Sequence, residues 1–222
     1  MLQVSTLKFL KDLKKNNNKP WFDAHRARYD EAKSDFAEFI QVLIDRHSTK
    51  DPGIKSLKAK DCIFRINRDI RFSKDKTPYK SNFGASLNFG GRKSIYAGYY
   101  FHLDPGESLV GGGLWAPMPP ELKKLRQEID YNLDEFRKII LSKKFKAVYG
   151  SIYQGDDMRL VNVPQGFEKD NPAGEYLKMK SFIAMKSLTN AEISSASLVK
   201  TCLEAFAALQ PLLNFINRGV SE

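Results

Sequence analysis

Cysteine and histidine are scarce: two and three in 222 residues. Cys62 and Cys202 exclude a disulfide scaffold and a cysteine-built zinc site. His25 and His47 fall on one predicted helix about 33 Å apart at ~1.5 Å per residue, too far to share an ion. No His-x-x-x-His, Cys-x-x-Cys or EF-hand spacing occurs, so no metal or other cofactor is expected. No apolar run approaches the ~18 residues of a membrane span, which argues against a membrane partner. In MLQVSTLKFLKDLKK, Lys8 interrupts the apolar stretch and no small-residue cleavage site follows, unlike a secretory signal. Asp12 and the lack of arginine there argue against a transit peptide. The expected compartment is the cytoplasm, with both cysteines as free thiols.

Nucleotide and nucleophile motifs are missing too. Gly90-Gly91-Arg92-Lys93-Ser94 lacks the Gly-Lys-Ser run of a P-loop and precedes a strand. Gly111-Gly112-Gly113 lacks G-x-G-x-x-G and reads as close backbone approach within a sheet. No G-x-S-x-G is present, and both cysteines read as packed small hydrophobes.

Hydrophobic residues at 42% and charged residues at 28% describe an ordinary globular chain. No linker, composition shift or repeat divides it, so residues 1–222 read as a single domain. Ser5 is a candidate N-cap for a helix to about Lys15, with Val4, Leu7, Leu10 and Leu13 as its stripe. Asn16-Asn17-Asn18 breaks that helix. Pro20 opens a second, whose stripe from Trp21 through His25, Tyr29 and Phe36 predicts one helix to about His47. Alternation predicts a strand over Ile63–Phe72 with Phe64, Ile66, Ile70 and Phe72 on its apolar face and a bulge near Asn67-Arg68. Two more strands follow, Phe83–Phe89 and Ile95–Leu103, joined at Gly90-Gly91. Asp104-Pro105-Gly106 then turns into a strand over Ser108–Trp115.

Pro117, Pro119 and Pro120 end this run. Helices are predicted over 122–129, 133–140 and 143–149, with a brief one closing at Leu177. Short strands are predicted at Arg159–Val163 and Ser181–Ser187. A last helix should start near Ser194, kink at Pro211 and end at Gly219. The fold class is α+β: a mostly antiparallel meander of four to six strands, with helices from both chain ends packed on one face.

Charge is the remaining signal. The net charge is +10, and residues 55–93 alone contribute a net +8. Such a field favours anionic partners. Within it, Arg65, Arg68, Arg71, Lys74, Lys76 and Lys80 fall in 16 residues, interleaved with the hydroxyls of Ser73, Thr77 and Tyr79. Arginine forks bind phosphate or carboxylate bidentately and lysines add mobile charge. Arg65, Arg68, Arg71, Ser73, Lys74, Lys76, Tyr79 and Lys80 are therefore the candidate ligand-binding residues. Asp69, between two arginines, is a candidate acid/base group, as are Tyr79 and His102. Two plainer readings compete: a strand edge protected by charge, and an internal salt-bridge network. Asn82, Ser86, Asn88, Tyr100 and His102 would line the polar face of the meander nearby.

The run FRINRDIRFSKDKTPYKSN resembles the signature of an uncharacterised family, domain of unknown function 2461. NNNKPWF, GYYFHL, GGGLWAP and VPQGF support the resemblance, which extends from about Leu7 to Phe215. It implies one domain spanning the chain, and no established reaction, cofactor or catalytic residue. The function read from the residues is binding of a phosphate-bearing ligand, nucleic acid among the candidates, through residues 65–80. The alternatives are an enzyme acting on a phosphorylated or carboxylated small molecule, with Asp69 or His102 as acid/base, and an interaction module for an acidic protein.

Overall fold

The structure is a computed structural model that describes residues 2–155 and 158–221. Helix α1 (Val4–Lys15) starts after Gln3, and Ser5, the expected cap, lies within its first turn. Gln3 N–H and the Thr6 hydroxyl instead donate to Asp35 at 3.0 and 2.5 Å. Asn18 caps α2 (Lys19–Ala24), its Oδ1 accepting from Trp21 N–H at 3.0 Å. The single helix predicted from Pro20 to His47 is two. It breaks at His25, whose ring stacks on Trp21 at 4.1 Å and sits 2.7 Å from the Trp21 carbonyl. Helix α3 (Arg26–His47) follows, then a 3₁₀ turn (Pro52–Ile54) and the short α4 (Ala59–Cys62).

Strands β1 (Phe83–Asn88), β2 (Gly98–Leu103), β3 (Leu109–Leu114) and β4 (Phe182–Ser187) form one antiparallel sheet in the order β1-β2-β3-β4. Between β3 and β4 lie α5 (Pro119–Tyr131), α6 (Leu133–Ile140), α7 (Lys143–Tyr149) and α8 (Gly174–Leu177). The chain closes with α9 (Asn190–Ile193), capped reciprocally by Thr189 and Glu192, and the 24-residue α10 (Leu198–Ser221).

One sheet face carries the core. Phe83 packs on Phe36 and Phe101 on Phe39 of α3, with ring centroids 5.3 and 4.9 Å apart. Tyr99 meets Phe206 of α10 at 4.6 Å. Helices from both chain ends thus share one face of an α+β fold, the strand count falling at the low end of expectation. The period of two places Phe83, Ala85 and Leu87 opposite Leu103, Phe101 and Tyr99 on that face. The other face carries Gly84, Ser86 and Asn88 opposite His102, Tyr100 and Gly98.

Several expectations fail. Residues 63–72 are not a strand: only isolated bridges pair Ile63 with Ala85 and Asn67 with Tyr79, and Phe72 is 94% exposed. Ile95, expected to begin a strand, lies exposed in the β1–β2 loop, because Asn88 Nδ2 ties the loop at the Tyr96 carbonyl (2.7 Å) before pairing resumes at Gly98. The predicted strand at 159–163 reduces to one bridge, Arg159 to Met179. The last helix, expected from near Ser194, starts at Leu198 after the separate short α9, and Pro211 lies inside it. Gly219 does not end it. A Cβ there would lie 2.7 Å from Glu128 Cβ, so this glycine serves the approach of α10 to α5.

Candidate functional site

The basic segment leaves β1's edge and folds back on itself. Phe64 N–H donates to the Gly84 carbonyl (2.9 Å), Arg68 N–H to Pro78 (2.9 Å) and Lys80 N–H to Ile66 (2.8 Å). These bonds close residues 69–77 into a protruding loop with the Asn67–Tyr79 bridge at its base. Asn17 fastens that base from the helical layer, bonding both the N–H and the carbonyl of Tyr79.

Much of the charge in this loop is engaged internally. The Arg68 guanidinium contacts Asp75 and Thr77 and lies 3.4 Å from the Ser73 hydroxyl. Thr77 N–H and then Arg68 hold the Asp75 carboxyl down to about 2. Arg71 grips Asp69 with two parallel bonds, 3.0 and 2.7 Å, and that guanidinium keeps the Asp69 carboxyl below the usual range. Lys76 Nζ donates to the Ile70 carbonyl at 3.0 Å. Lys74 is exposed. Tyr79 turns its ring into the core, stacked on Phe22 at 4.0 Å. The arginine forks of Arg68 and Arg71 are therefore closed on carboxylates, as the internal-network reading expects.

Three cations gather at the base of the segment, and like the loop's Lys74 and Lys76 they stand outside the ion pairs of the described residues. Arg65, Lys80 and Arg92 take part in none of the ion pairs among the described residues. Lys80 and Arg92 both lie over the Phe64 ring, 5.4 and 5.5 Å from its centroid. The Arg92 guanidinium also contacts the Ile63 carbonyl. Partial burial lowers the Lys80 pKa, and repulsion from Arg65 and Arg92 lowers it further. Lys80 borders a polar hollow of about 340 Å³ shared with Lys14, Asn17, Arg68, Thr77 and Asn82.

Next to this cluster, on the open sheet face, Phe64 meets Tyr100 edge-on, and Tyr100 Oη lies 2.9 Å from His102 Nδ1. Burial raises the Tyr100 pKa. Burial lowers that of His102, and Lys80 adds to the lowering while Asp104 and Glu107 oppose it. Ser86 and Asn88 contact each other further along the same face.

Of the residues singled out in the sequence, the fold gathers Lys80 with Arg65, and His102 with Tyr100. It sets Arg71, Lys74 and Lys76 on the protruding loop. Arg92, Phe64, Lys14 and Asn17 escaped sequence reasoning. Arg92 was visible only as charge after the hairpin glycines, and Asn17 only as part of NNNKPWF. Elsewhere, a cleft of about 420 Å³ opens beside Asp51, Tyr99 and Asn217. Its polar groups are engaged: Tyr99 Oη donates to Asp51 at 2.8 Å, and Asn217 bonds both backbone polar groups of Ala97. Burial pushes the Cys62 and Cys202 thiols up to about 11 and about 12, which fits packed residues better than nucleophiles. Among the described residues, no group of three or more His, Cys, Asp or Glu is placed to hold a metal ion, and no helix is long and apolar enough to cross a membrane.

The family model described as "Conserved hypothetical protein (DUF2461)" matches residues 5–215. The chain belongs to that family. No curated protein and no solved structure matches this DUF2461 chain. The match takes in the whole basic segment and the four strands beside it, so the cation cluster lies within the family domain.

Proposed function

We propose that the protein binds a phosphate-bearing ligand at the junction of the basic segment and the open sheet face. The carrying observation is Lys80: a partly buried ammonium with cationic neighbours Arg65 and Arg92 and no carboxylate paired to it among the described residues. Like charges gathered without a counter-charge repel, and a bound anion relieves that repulsion. Arg65 and Arg92 would supply the forks and Lys80 the point charge. Arg68 would brace the loop instead of contacting ligand, because its guanidinium is held by Asp75 and Thr77.

A second reading draws on the Tyr100–His102 contact. A largely neutral imidazole bonded to a tyrosine hydroxyl, beside a cation cluster, suits proton transfer to a phosphorylated substrate. Asp69 suits that role less, since Arg71 holds both of its oxygens.

The test is binding of tripolyphosphate and of a labelled oligonucleotide, titrated over salt. Affinity should fall with salt, by about 0.9 log units per log unit for each phosphate contacted on duplex DNA. Arg65→Ala combined with Lys80→Ala should weaken both ligands at least about tenfold, the scale of ~1.4 kcal/mol, with the fold intact. Arg71→Ala should cost less. Unchanged affinity in the folded double variant would overturn the proposal.

A further inference from the structure

Phe72 is the most exposed large apolar side chain among the described residues, at 94%. An aromatic ring left in water needs a reason, because its burial is worth roughly 1.5–3 kcal/mol. The loop around it is firmly braced. Arg68 ties Ser73, Asp75 and Thr77 together, Lys76 reaches back to the Ile70 carbonyl, and Arg71 is locked on Asp69. The Arg71 guanidinium lies over the Phe72 ring at 5.7 Å from its centroid. That cation occupies one side of the ring and leaves the rest open to solvent. Lys74 and Lys76 follow on the same loop and are exposed.

We propose that residues 69–77 form a stacking finger for single-stranded nucleic acid: an unpaired base lies on Phe72, and the neighbouring phosphates meet Lys74 and Lys76. The proposal rests on the phosphate-binding reading above and names its ligand class. Stacking on an exposed aromatic between cations tolerates any base, so the finger reads strandedness and not sequence. Apolar area, more than charge, separates this partner from an anionic membrane, since both are polyanions. The loop presents a single exposed apolar ring, and the exposed Asp69 and Asp75 flank it within three residues on either side. A membrane-inserting loop needs more apolar surface and no carboxylates beside it.

The experiment compares a labelled oligo(dT) strand of roughly twelve nucleotides, within the span of common single-strand sites, with an abasic strand of equal length. Phe72→Ala should weaken oligo(dT) about tenfold and leave the abasic strand unchanged. Phe72→Trp should keep wild-type affinity, and its added fluorescence should be quenched by oligo(dT) but not by the abasic strand. Three results would overturn the finger: unchanged oligo(dT) affinity in Phe72→Ala, equal losses on both strands, or Phe72-dependent binding confined to phosphatidylserine vesicles. Where one of those results accompanies an abasic strand that still binds and loses affinity in the Arg65/Lys80 double variant, only the finger falls. If neither strand nor tripolyphosphate binds the wild-type protein, the phosphate-binding reading falls with it.

Discussion

Asn17 holds Tyr79 by both of its backbone polar groups, accepting from the N–H at 3.1 Å and donating to the carbonyl at 2.9 Å across 62 residues of chain. One side chain at the α1–α2 corner thereby closes the base of the basic loop. It also sets where Lys80 emerges.

Asn17→Ala removes both partners at once. The two Tyr79 groups are partly buried, and leaving such groups unpaired costs on the order of 1–3 kcal/mol. The variant should unfold at lower denaturant, with faster amide exchange in residues 64–80 than elsewhere. Its affinity for tripolyphosphate should fall without any cationic side chain having changed. Asn17→Asp, which keeps the acceptor, should lie between the two.

His47 makes stability depend on acid. Its ring is buried edge-on against Tyr99 and Phe206, and neither nitrogen has a hydrogen-bond partner among the described residues. Burial pulls its pKa down to about 4. An unfolded imidazole takes a proton near 6.5, so between these values the unfolded chain binds the proton and the folded chain does not. His47's contribution is complete above about pH 6.5 and is lost as pH falls toward 4, by an amount on the order of 3 kcal/mol. Urea melts at pH 7 and pH 4.5 should show this loss in the wild type and a smaller one in His47→Leu.

Gly112 lies where β3 faces both a strand and a helix. Its φ is +151°, and a Cβ would fall 2.1 Å from the Gly98 carbonyl oxygen and 2.9 Å from Leu209 Cδ2 of α10. Backbone cannot move aside as a side-chain tip can. Gly112→Ala should destabilise by more than about 3 kcal/mol, the range of severe core lesions. Gly106→Ala, with φ +98° and nothing within 4 Å, should cost only about 1–2 kcal/mol of left-handed strain. Thermal melts of the pair separate crowding from conformation.

The legible parts of the fold are those written in period. Phe83-Ala85-Leu87 and Tyr99-Phe101-Leu103 alternate and do face the helices, and the buried residues of α3 and α10 recur at helical steps. The stretch from Phe64 to Phe72 alternates as well, yet beyond the Asn67–Tyr79 bridge it enters the loop of residues 69–77 and sends Phe72 into solvent. Its course follows the backbone bonds from Arg68 to Pro78 and from Lys80 to Ile66 and the hold of Asn17 on Tyr79, with Arg68 paired to Asp75 inside the loop, and periodicity does not record any of these pairings. The same limit applies to the site. The basic run was readable as charge. Which cations are engaged and which are left over depends on Asp75, Asp69 and the distant Asn17. Arg92 joins Lys80 only because both cover Phe64.

The order of the elements bears on synthesis. Tyr99 and Gly112 lie in the middle of the sheet, but their partners Phe206 and Leu209 belong to α10, made after all four strands. When β4 clears the ribosome, α10 is still in the exit tunnel; α3 already covers Phe101 and meets one edge of Tyr99, but the β3 side of the apolar face lacks its cover. Domains usually fold as units during translation. This one waits for α10, so a ribosome stalled within that helix would display part of Tyr99 and the apolar side of β3, a surface that nascent-chain chaperones are built to hold.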